Sequence, residues 1–221
     1  MSDVLENLYQ AVLNGNIDLA KCSAEESLKQ NIPALKAIEE GLVKGIREVG
    51  AKFGKGELFL TELIMGAEAF KAALAILEPE LTEKKIEMKT LGRVALGTVA
   101  GDIHSIGKDI MATLLSTNGF RVYDLGVDVQ AKIFIESAKK YQVDIVGASA
   151  LMSTTVLEQE RIVQELKENS LRDNLKFMIG GAAVSESWAK DIGADAWALD
   201  ANEGVEKAKK LIENRNSRRH V

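Results

Sequence analysis

Two residues that could do chemistry together, Asp102 and His104, lie in a short segment that follows an apolar run at residues 94–96. They are two positions apart, so in an extended loop both side chains leave on the same side. The carboxylate can then hold one imidazole nitrogen while the other nitrogen faces a ligand, an arrangement that orients metal-binding histidines. Gly107, three residues after His104, would let the backbone approach a bulky group.

The same short pattern has a simpler interpretation, in which Asp102 caps a helix and His104 is a solvated side chain. The chain contains two histidines and one cysteine, Cys22, which are too few for a zinc site made of protein ligands. If His104 binds a metal ion, the other ligands must therefore arrive with a cofactor.

Two common nucleotide-binding patterns are absent around this segment. Gly97, Gly101 and Gly107 do not have the spacing of a dinucleotide-binding Gly-x-Gly-x-x-Gly loop. Lys108 is followed by Asp109, whereas a phosphate-binding loop requires serine or threonine there. The sequence therefore favours neither NAD nor ATP as a ligand.

The composition predicts a globular protein of one or two domains. The 221 residues are 46% hydrophobic, and the net charge of −5 is made of interspersed positive and negative residues. No basic stripe is available for nucleic acid, and no apolar run approaches the length of a membrane span. The first residues show no basic and apolar leader, and a single cysteine forms no internal disulfide. We expect a cytoplasmic protein that binds neither nucleic acid nor membrane.

Residues 1–88 are predicted to form only helices, because apolar residues recur at helical spacing between short breaks. Pro33 suits the first turn of the third helix. The fourth helix is expected to run from Thr61, as its N-cap, to Leu77, just before Pro79. Four amphipathic helices with short connections predict a four-helix bundle domain.

A charged segment at residues 79–90 begins at a predicted helix end and is interpreted as the linker between two domains. Such a linker would allow the domains to move relative to each other.

Strands and helices are predicted to alternate from Leu91 onward, which favours a second domain over residues 91–213. The strands are expected at residues 94–96, 120–123, 145–148, 176–179 and 194–199. The intervening helices are expected to begin near Gly107, Ala131, Thr154, Ser185 and Ala201. Five such units predict an α/β fold with a doubly wound, parallel, five-stranded sheet of flavodoxin type. Right-handed crossovers would place all the loops after the strands at one edge.

The loops after the third and fourth strands carry hydroxyl groups and glycines. Ser149 ends the third strand, Ser153 and Thr155 follow in its loop, and Gly180-Gly181 ends the fourth strand. A slot lined by hydroxyl groups beside glycines suits a nucleotide tail with its ribose and phosphate. Alternatively, Ser153 or the residue after it simply caps the next helix.

Three fragments in order resemble the three-part signature of cobalamin-binding domains: Asp102-x-His104-x-x-Gly107, Ser149-Ala150-Leu151 and Gly180-Gly181. The resemblance implies that His104 displaces the base of the cofactor and ligates cobalt from below. The released tail would then thread a groove lined by the serine and the glycine pair. The implied cofactor-binding residues of this domain are Asp102, His104, Gly107, Ser149, Leu151, Ser153, Gly180 and Gly181. Ser105 stands where relatives commonly have aspartate.

Residues 57–65 and 74–79 resemble the helical cap that precedes the cobalamin domain in methionine synthase and in corrinoid proteins of methyltransferase systems. The resemblance implies that Phe59 and Leu60 shield the methyl group on the upper face of cobalt. Thr61 departs from the family, in which many members have proline at this position. The alternative interpretation places Phe59 in the ordinary core of the bundle.

Together the resemblances imply a non-catalytic carrier subunit that holds a methyl group on cobalt. One partner would be a substrate-specific methyltransferase, and another would pass the methyl group to tetrahydrofolate or coenzyme M. A reductive activation protein is a third implied partner. The sequence does not identify the donor among methylamines, methanol, methoxyaromatics and betaines. The alternatives are a cobalamin-dependent sensor, the cobalamin subunit of a carbon-skeleton mutase, and a flavodoxin-like interaction domain without cobalamin.

Overall fold

The computed structural model describes residues 3–84, 86 and 90–219, apart from the side chains of Thr82 and 215–219. The chain forms two compact units, the second of which comprises Thr90–Leu115 and the chain from Phe120 onward, while Ser116–Gly119 belong to the first. The first unit is helical: α1 (Asp3–Leu13), α2 (Ile17–Lys29), α3 (Ala34–Ala37), a π-helical segment (Ile38–Val43), α4 (Lys44–Gly54) and α5 (Leu60–Glu83).

Apolar faces of these helices form the core of the first unit. Fully buried members of this core include Leu8, Val12, Leu42, Val49 and Leu63. The predicted third helix is one continuous helical run from Ala34 to Gly54, in which the π-helical segment separates α3 from α4. Helical spacing alone does not reveal this wider turn, because the apolar pattern continues through it.

Two predictions about helix starts in this unit are wrong. Pro33 is the N-cap of α3 and does not lie in its first turn. Helix α5 begins at Leu60, and the side chain of Glu62 accepts a hydrogen bond from the Phe59 N–H at 2.7 Å, so Thr61 is not the N-cap. A glutamate that reaches back in this way satisfies an N–H group at the helix start.

The predicted helix end before Pro79 is also wrong, because α5 continues through Pro79 to Glu83. A proline inside a helix costs about 3 kcal/mol. Leu77 and Leu81 lie on either side of Pro79 and are both buried, so packing of the last turns offsets this cost. The first part of the predicted linker is therefore helix, while Lys85 and residues 87–89 lie outside the described residues.

The second unit alternates strands and helices. Its strands are β1 (Arg93–Thr98), β2 (Arg121–Asp124), β3 (Ile145–Ser149), β4 (Lys176–Gly180) and β5 (Ala196–Trp197). Its helices are α6 (Ile106–Thr117), α7 (Ala131–Tyr141), α8 (Leu157–Glu168), α9 (Glu186–Ile192) and α10 (Ala201–Arg219). All strand pairs are parallel in the order β2-β1-β3-β4-β5, which confirms the predicted flavodoxin-type sheet.

One face of this sheet packs against a large apolar cluster. Phe134, Val146, Ile162, Leu166 and Phe177 are completely or almost completely buried in it. The three central strands β1, β3 and β4 are mostly buried on both faces, so they are near-continuous apolar runs in the sequence.

The expected element ends in this unit hold in part. Ser185 caps α9 by accepting a hydrogen bond from the Trp188 N–H at 3.1 Å. Helix α8, however, begins at Leu157 instead of near Thr154, and β5 is shorter than the predicted strand at 194–199.

The domain boundaries 1–88 and 91–213 stay predictions. Met88 lies outside the described residues, and α10 extends beyond residue 213. Within the described ranges, none of the helices combines the length and hydropathy that crossing a membrane requires.

Candidate functional site

The register of the sheet places the ends of three strands side by side. Thr98 of β1 pairs with Ser149 of β3, and Ser149 pairs with Gly180 of β4. The sheet order reverses between β1 and β3, and ligands of open α/β sheets bind at such a reversal, outside the carboxyl ends of the strands. The loops that carry the predicted site residues of this unit therefore start side by side at the carboxyl edge of the sheet.

Asp102 anchors the loop after β1. Its side chain is completely buried, and both carboxylate oxygens accept hydrogen bonds. Oδ1 accepts from the backbone N–H of His104 at 3.0 Å and bonds Nδ1 of the His104 ring at 2.7 Å. Oδ2 accepts from the Leu151 N–H at 2.8 Å, the Met152 N–H at 3.3 Å and the Thr155 hydroxyl at 2.9 Å.

These hydrogen bonds set the charge of the carboxyl group. Burial by itself raises the pKa of Asp102, because it removes water from the charged form. The N–H and ring bonds from His104 and the bonds from Leu151 and Thr155 act in the opposite direction and hold the pKa well below its usual range. Asp102 is therefore ionised at neutral pH and can accept a hydrogen bond from a proton at Nδ1 of His104.

His104 presents one ring nitrogen to the outside. Its side chain is 46% exposed, and its backbone carbonyl accepts a hydrogen bond from the Thr98 hydroxyl at 3.0 Å. With the proton at Nδ1 shared with Asp102, Nε2 carries the lone pair. This is the arrangement that raises the basicity of a metal-binding imidazole. The interpretation of Asp102 as a helix cap is wrong, because its carboxylate bonds His104 and the loop after β3, not the start of α6.

A cavity of about 700 Å³ opens beside His104 on one face of the sheet. The predicted site residues that line it are His104, Gly107, Ser149, Leu151, Gly180 and Gly181. Residues 149, 147 and 145 of β3 all line it, so it extends about 13 Å along this strand from its carboxyl end. A cavity of this size is typical of small-molecule sites.

Two glycines of the site meet different constraints. Gly181 has a φ of +118°, and a Cβ atom there would lie 1.9 Å from the carbonyl oxygen of Ala150. The close approach of the loops after β3 and β4 thus requires glycine. At Gly107 a Cβ atom would meet no heavy atom within 4 Å, so bare backbone borders open space.

Other predicted residues do not join this cavity. Ser153 is exposed and lies outside the lining. It does not cap α8 either, since the N-cap position of α8 is Val156, without a side-chain cap bond. Phe59 and Leu60 belong to the first unit. Phe59 is 79% exposed, so its assignment to the bundle core is wrong.

Sequence reasoning missed three polar side chains that position the site. Thr155 was recognised as a loop hydroxyl, but not as a partner of Asp102. Gln159 is completely buried, donating to the carbonyl of Ala148 at 2.9 Å and accepting from the Trp188 ring N–H at 3.1 Å. Its place on the apolar face of α8 was the available signal, because a buried amide requires partners.

Lys108 is the third of these residues. It is buried at the cavity wall, and its ammonium group bonds Asp109 at 2.6 Å and Asp124 at 2.6 and 2.7 Å. Two carboxylates therefore balance its charge, and the contact with Asp124 ties the start of α6 to the end of β2.

The side chains that could bind a metal at this site suit a metal ion that brings most of its own ligands. Within the described part of the chain, no three His, Cys, Asp or Glu side chains are grouped closely enough to hold a metal ion. His104 alone offers a nitrogen, and exposed apolar side chains surround it at Ile103, Ile106 and Leu199. A flat, largely apolar macrocycle with a central metal matches this surface, and the cavity offers space for an appended group.

These features define a flavodoxin-type α/β domain that binds a cofactor at its carboxyl edge. A family model described as B12 binding domain matches residues 92–208, and another of the same description matches residues 4–78. The chain therefore belongs to the B12-binding family of corrinoid proteins, and its cofactor is a corrinoid.

Similar proteins have nearly the same length as this chain. A corrinoid protein of Desulfitobacterium hafniense is 41% identical over 95% of this chain and 97% of its own length. The trimethylamine corrinoid protein of Methanosarcina barkeri is 43% identical over the same shares. The methanol:cobalamin methyltransferase complex of Methanosarcina barkeri contains a chain with the same fold, at a TM-score of 0.82 and 24% identity, over 96% of this chain and 80% of that one.

Proposed function

We propose that this protein carries a methyl group on cobalt between a substrate-specific methyltransferase and a second methyltransferase. The second enzyme would pass the group to tetrahydrofolate or coenzyme M. The observation that carries the proposal is the pairing of a buried carboxylate with His104 at the mouth of a cavity, in a chain of the B12-binding family. A bound corrinoid supplies a cobalt that accepts and releases the methyl group.

In this proposal Nε2 of His104 would hold the cobalt of the corrinoid. Asp102 keeps the ring in the tautomer with its proton at Nδ1 and fixes the plane of the ring by accepting bonds from both the ring and the backbone of His104.

The cavity would hold the nucleotide tail of the corrinoid. Ser149 offers a hydroxyl at the mouth, and Leu151 borders it from the loop that bonds Asp102. Gly107 leaves open space where a side chain would project, and Gly180 has only the Ala198 carbonyl oxygen near the position of a Cβ atom, at 3.7 Å. Gly181 instead permits the close approach to Ala150 that shapes this edge of the cavity. Ser153 has no place in this assignment, because it lies outside the cavity lining.

We propose that residues 1–88 are a cap domain and residues 91–213 the corrinoid-binding domain. Phe59 and Leu60 would shield the upper face of the cobalt. The exposure of Phe59 supports this role, since a large aromatic side chain in water is available for a ligand.

The partners of similar proteins support the assignment of partners here. One relative is named for trimethylamine, and a chain of the same fold belongs to a methyltransferase complex. The proposed partners are therefore two methyltransferases, with a reductive activation protein as a third. The proposed location is the cytoplasm.

The test is electron paramagnetic resonance of the Co(II) corrinoid bound to protein that carries ¹⁵N-labelled histidine. We expect the label to change the nitrogen coupling of cobalt in the wild type and in His220→Ala, the matched control at the other histidine of the chain. His104→Ala should lose this label-dependent coupling. If His104→Ala keeps it, or if the wild type shows only the nitrogen of the corrinoid's own base, the proposal is overturned.

A further inference from the structure

The cavity beside His104 changes in chemistry along its length. Its mouth carries polar side chains, including Ser105, Ser149 and Asp200. From the level of Gly147 to the amino end of β3, about 7 to 13 Å further along this strand, the lining is formed by aliphatic and thioether side chains. This part of the lining, the cavity floor, consists of Val94, Met111, Leu115, Ile145, Met178 and Ala208.

The cavity floor offers almost no hydrogen-bonding capacity. Val94, Leu115, Ile145 and Met178 are all buried, and none of them carries a nitrogen or oxygen in its side chain. The strand backbone there is engaged in the parallel ladders that pair Val94 with Ile145 and Gly147 with Met178. Among the described residues, no charged side chain lines the floor.

Lys108, the charged side chain at the cavity wall, does not supply the hydrogen bonds that the cavity floor lacks. The ammonium group of Lys108 is already held by Asp109 and Asp124 at 2.6 to 2.7 Å. It would have to leave two carboxylates to bond a ligand in the cavity, and breaking a buried ion pair is costly.

From this gradient we infer that the protein selects among corrinoids by the base at the end of the tail, and favours a base without polar edges. The inference rests on the proposed function, in which the tail occupies the cavity. A phenolic ring with an alkyl substituent buries only apolar edges on the cavity floor. An adenine ring would bury ring nitrogens and an amino group without partners there, and each unsatisfied polar group opposes binding.

The experiment measures dissociation constants of the full-length protein for corrinoids that differ only in the tail. The probes are the methyl forms with a p-cresol base and an adenine base, together with cobinamide, which lacks the nucleotide. We expect the cresol form to bind at least about tenfold more tightly than the adenine form, because one unsatisfied buried group suffices for that factor. Cobinamide should bind more weakly than the cresol form.

Variants of the cavity floor show whether the ratio of the two dissociation constants depends on the cavity lining or on the free corrinoids themselves. Val94→Thr keeps the shape of the side chain and adds a hydroxyl, and Met178→Gln adds an amide at similar length. Either should reduce the ratio between the two dissociation constants severalfold, whereas Leu157→Gln, an exposed site outside the cavity, should not. Bonding between the base and cobalt in the free corrinoid affects wild type and variants equally, so it cancels when their ratios are compared.

The possible outcomes distinguish the two proposals. Equal binding of the cresol and adenine forms, or equal binding of cobinamide, overturns the base selection while the proposed function stands. A ratio that is the same in wild type, Val94→Thr and Met178→Gln does so as well. Absence of binding to all three corrinoids overturns the proposed function itself.

Discussion

Two loops that precede helices in this protein are built in opposite ways. The loop after β1 is held by a buried carboxylate, and Asp102 bonds groups that lie 49 to 53 positions further along the chain. The loop before α5 is closed by a local bond from Phe59 to Glu62, and Phe59 itself is exposed. The first loop fixes one nitrogen in one direction, whereas the second only presents an apolar surface.

The two proposed tasks therefore require different degrees of preorganisation. An axial ligand must point along a defined line, so its supporting hydrogen bonds are numerous and buried. A shielding side chain needs only bulk, and one capping bond at the helix start is sufficient. Substitutions should therefore have large effects on stability at the first loop and small ones at the second.

The largest effect is expected for Asp102→Ala. Removing the completely buried carboxylate deprives the backbone N–H groups of His104 and Leu151 of their shared acceptor, which should lower the free energy of unfolding by about 3–5 kcal/mol. Trp188 and Trp197 both belong to the second unit, so urea unfolding followed by tryptophan fluorescence reports on it. Asp191→Ala, at an exposed acid of α9, is the matched control and should change little. Similar losses in the two variants would contradict the special role of Asp102.

Acid should weaken the second unit through the same carboxylate. The pKa of Asp102 is lowered in the folded protein, so the unfolded chain takes up a proton first, below about pH 4. The stability that Asp102 contributes is present above that pH and is lost as the pH falls toward the folded-state pKa. The unfolding free energy of wild type should thus fall more steeply in acid than that of Asp102→Asn. Parallel pH profiles would show that other carboxylates dominate.

Thr155→Val should have an intermediate effect. The substitution keeps the shape of the side chain but removes the hydroxyl that donates to Oδ2 of Asp102 at 2.9 Å. We expect a loss of about 1–2 kcal/mol in the same fluorescence measurement. Thr155→Ser retains the donor and should recover most of the loss. An undiminished stability of Thr155→Val would mean that the backbone donors of Leu151 and Met152 hold the carboxylate alone.

Glu62→Ala tests the second loop and should cost about 0.5–1 kcal/mol. It removes the carboxylate that accepts the Phe59 N–H at the start of α5. Both tryptophans lie in the second unit, so the first unit is followed by circular dichroism, which reports on the helices of both units. Glu57→Ala, an exposed acid of the same loop, should leave the transition unchanged. An equal shift in both variants would argue against a specific cap.

The smallest effect is expected for Phe59→Ala, whose side chain is 79% exposed. Its unfolding free energy should change by less than about 0.5 kcal/mol. The same substitution at Phe177, which is completely buried, should cost about 3–5 kcal/mol. Thermal unfolding by circular dichroism compares the two. A loss above about 2 kcal/mol for Phe59→Ala would show that it supports the fold.

Much of this architecture could be predicted from local patterns. The alternation of apolar runs with segments of helical spacing predicts the parallel sheet. The parallel arrangement in turn predicts that Ser149 and Gly180 lie side by side at the ends of their strands. The helix ends at Thr61 and Pro79 were predicted wrongly, because packing of Leu77 and Leu81 and the cap from Glu62 outweigh local preferences.

The pair of residues that does the chemistry could be predicted from the sequence, but the hydrogen bonds that hold the pair in place could not. Asp102 and His104 are neighbours in the sequence, so their pairing follows from spacing. The bonds from Thr155 and Leu151 join positions about 50 residues apart, and no local pattern encodes such a contact. The same applies to Gln159, whose partners lie on two strands and on α9.

The π-helical segment from Ile38 to Val43 has a consequence for changes in chain length. Such a segment contains one residue more than an α-helix of the same span, while the helices before and after it keep their facing. Ile38 and Ile46 stay buried on the same side across it. A deletion of one residue here would therefore leave α4 in register with its neighbours, whereas the same deletion inside α4 would rotate every later side chain by about 100°.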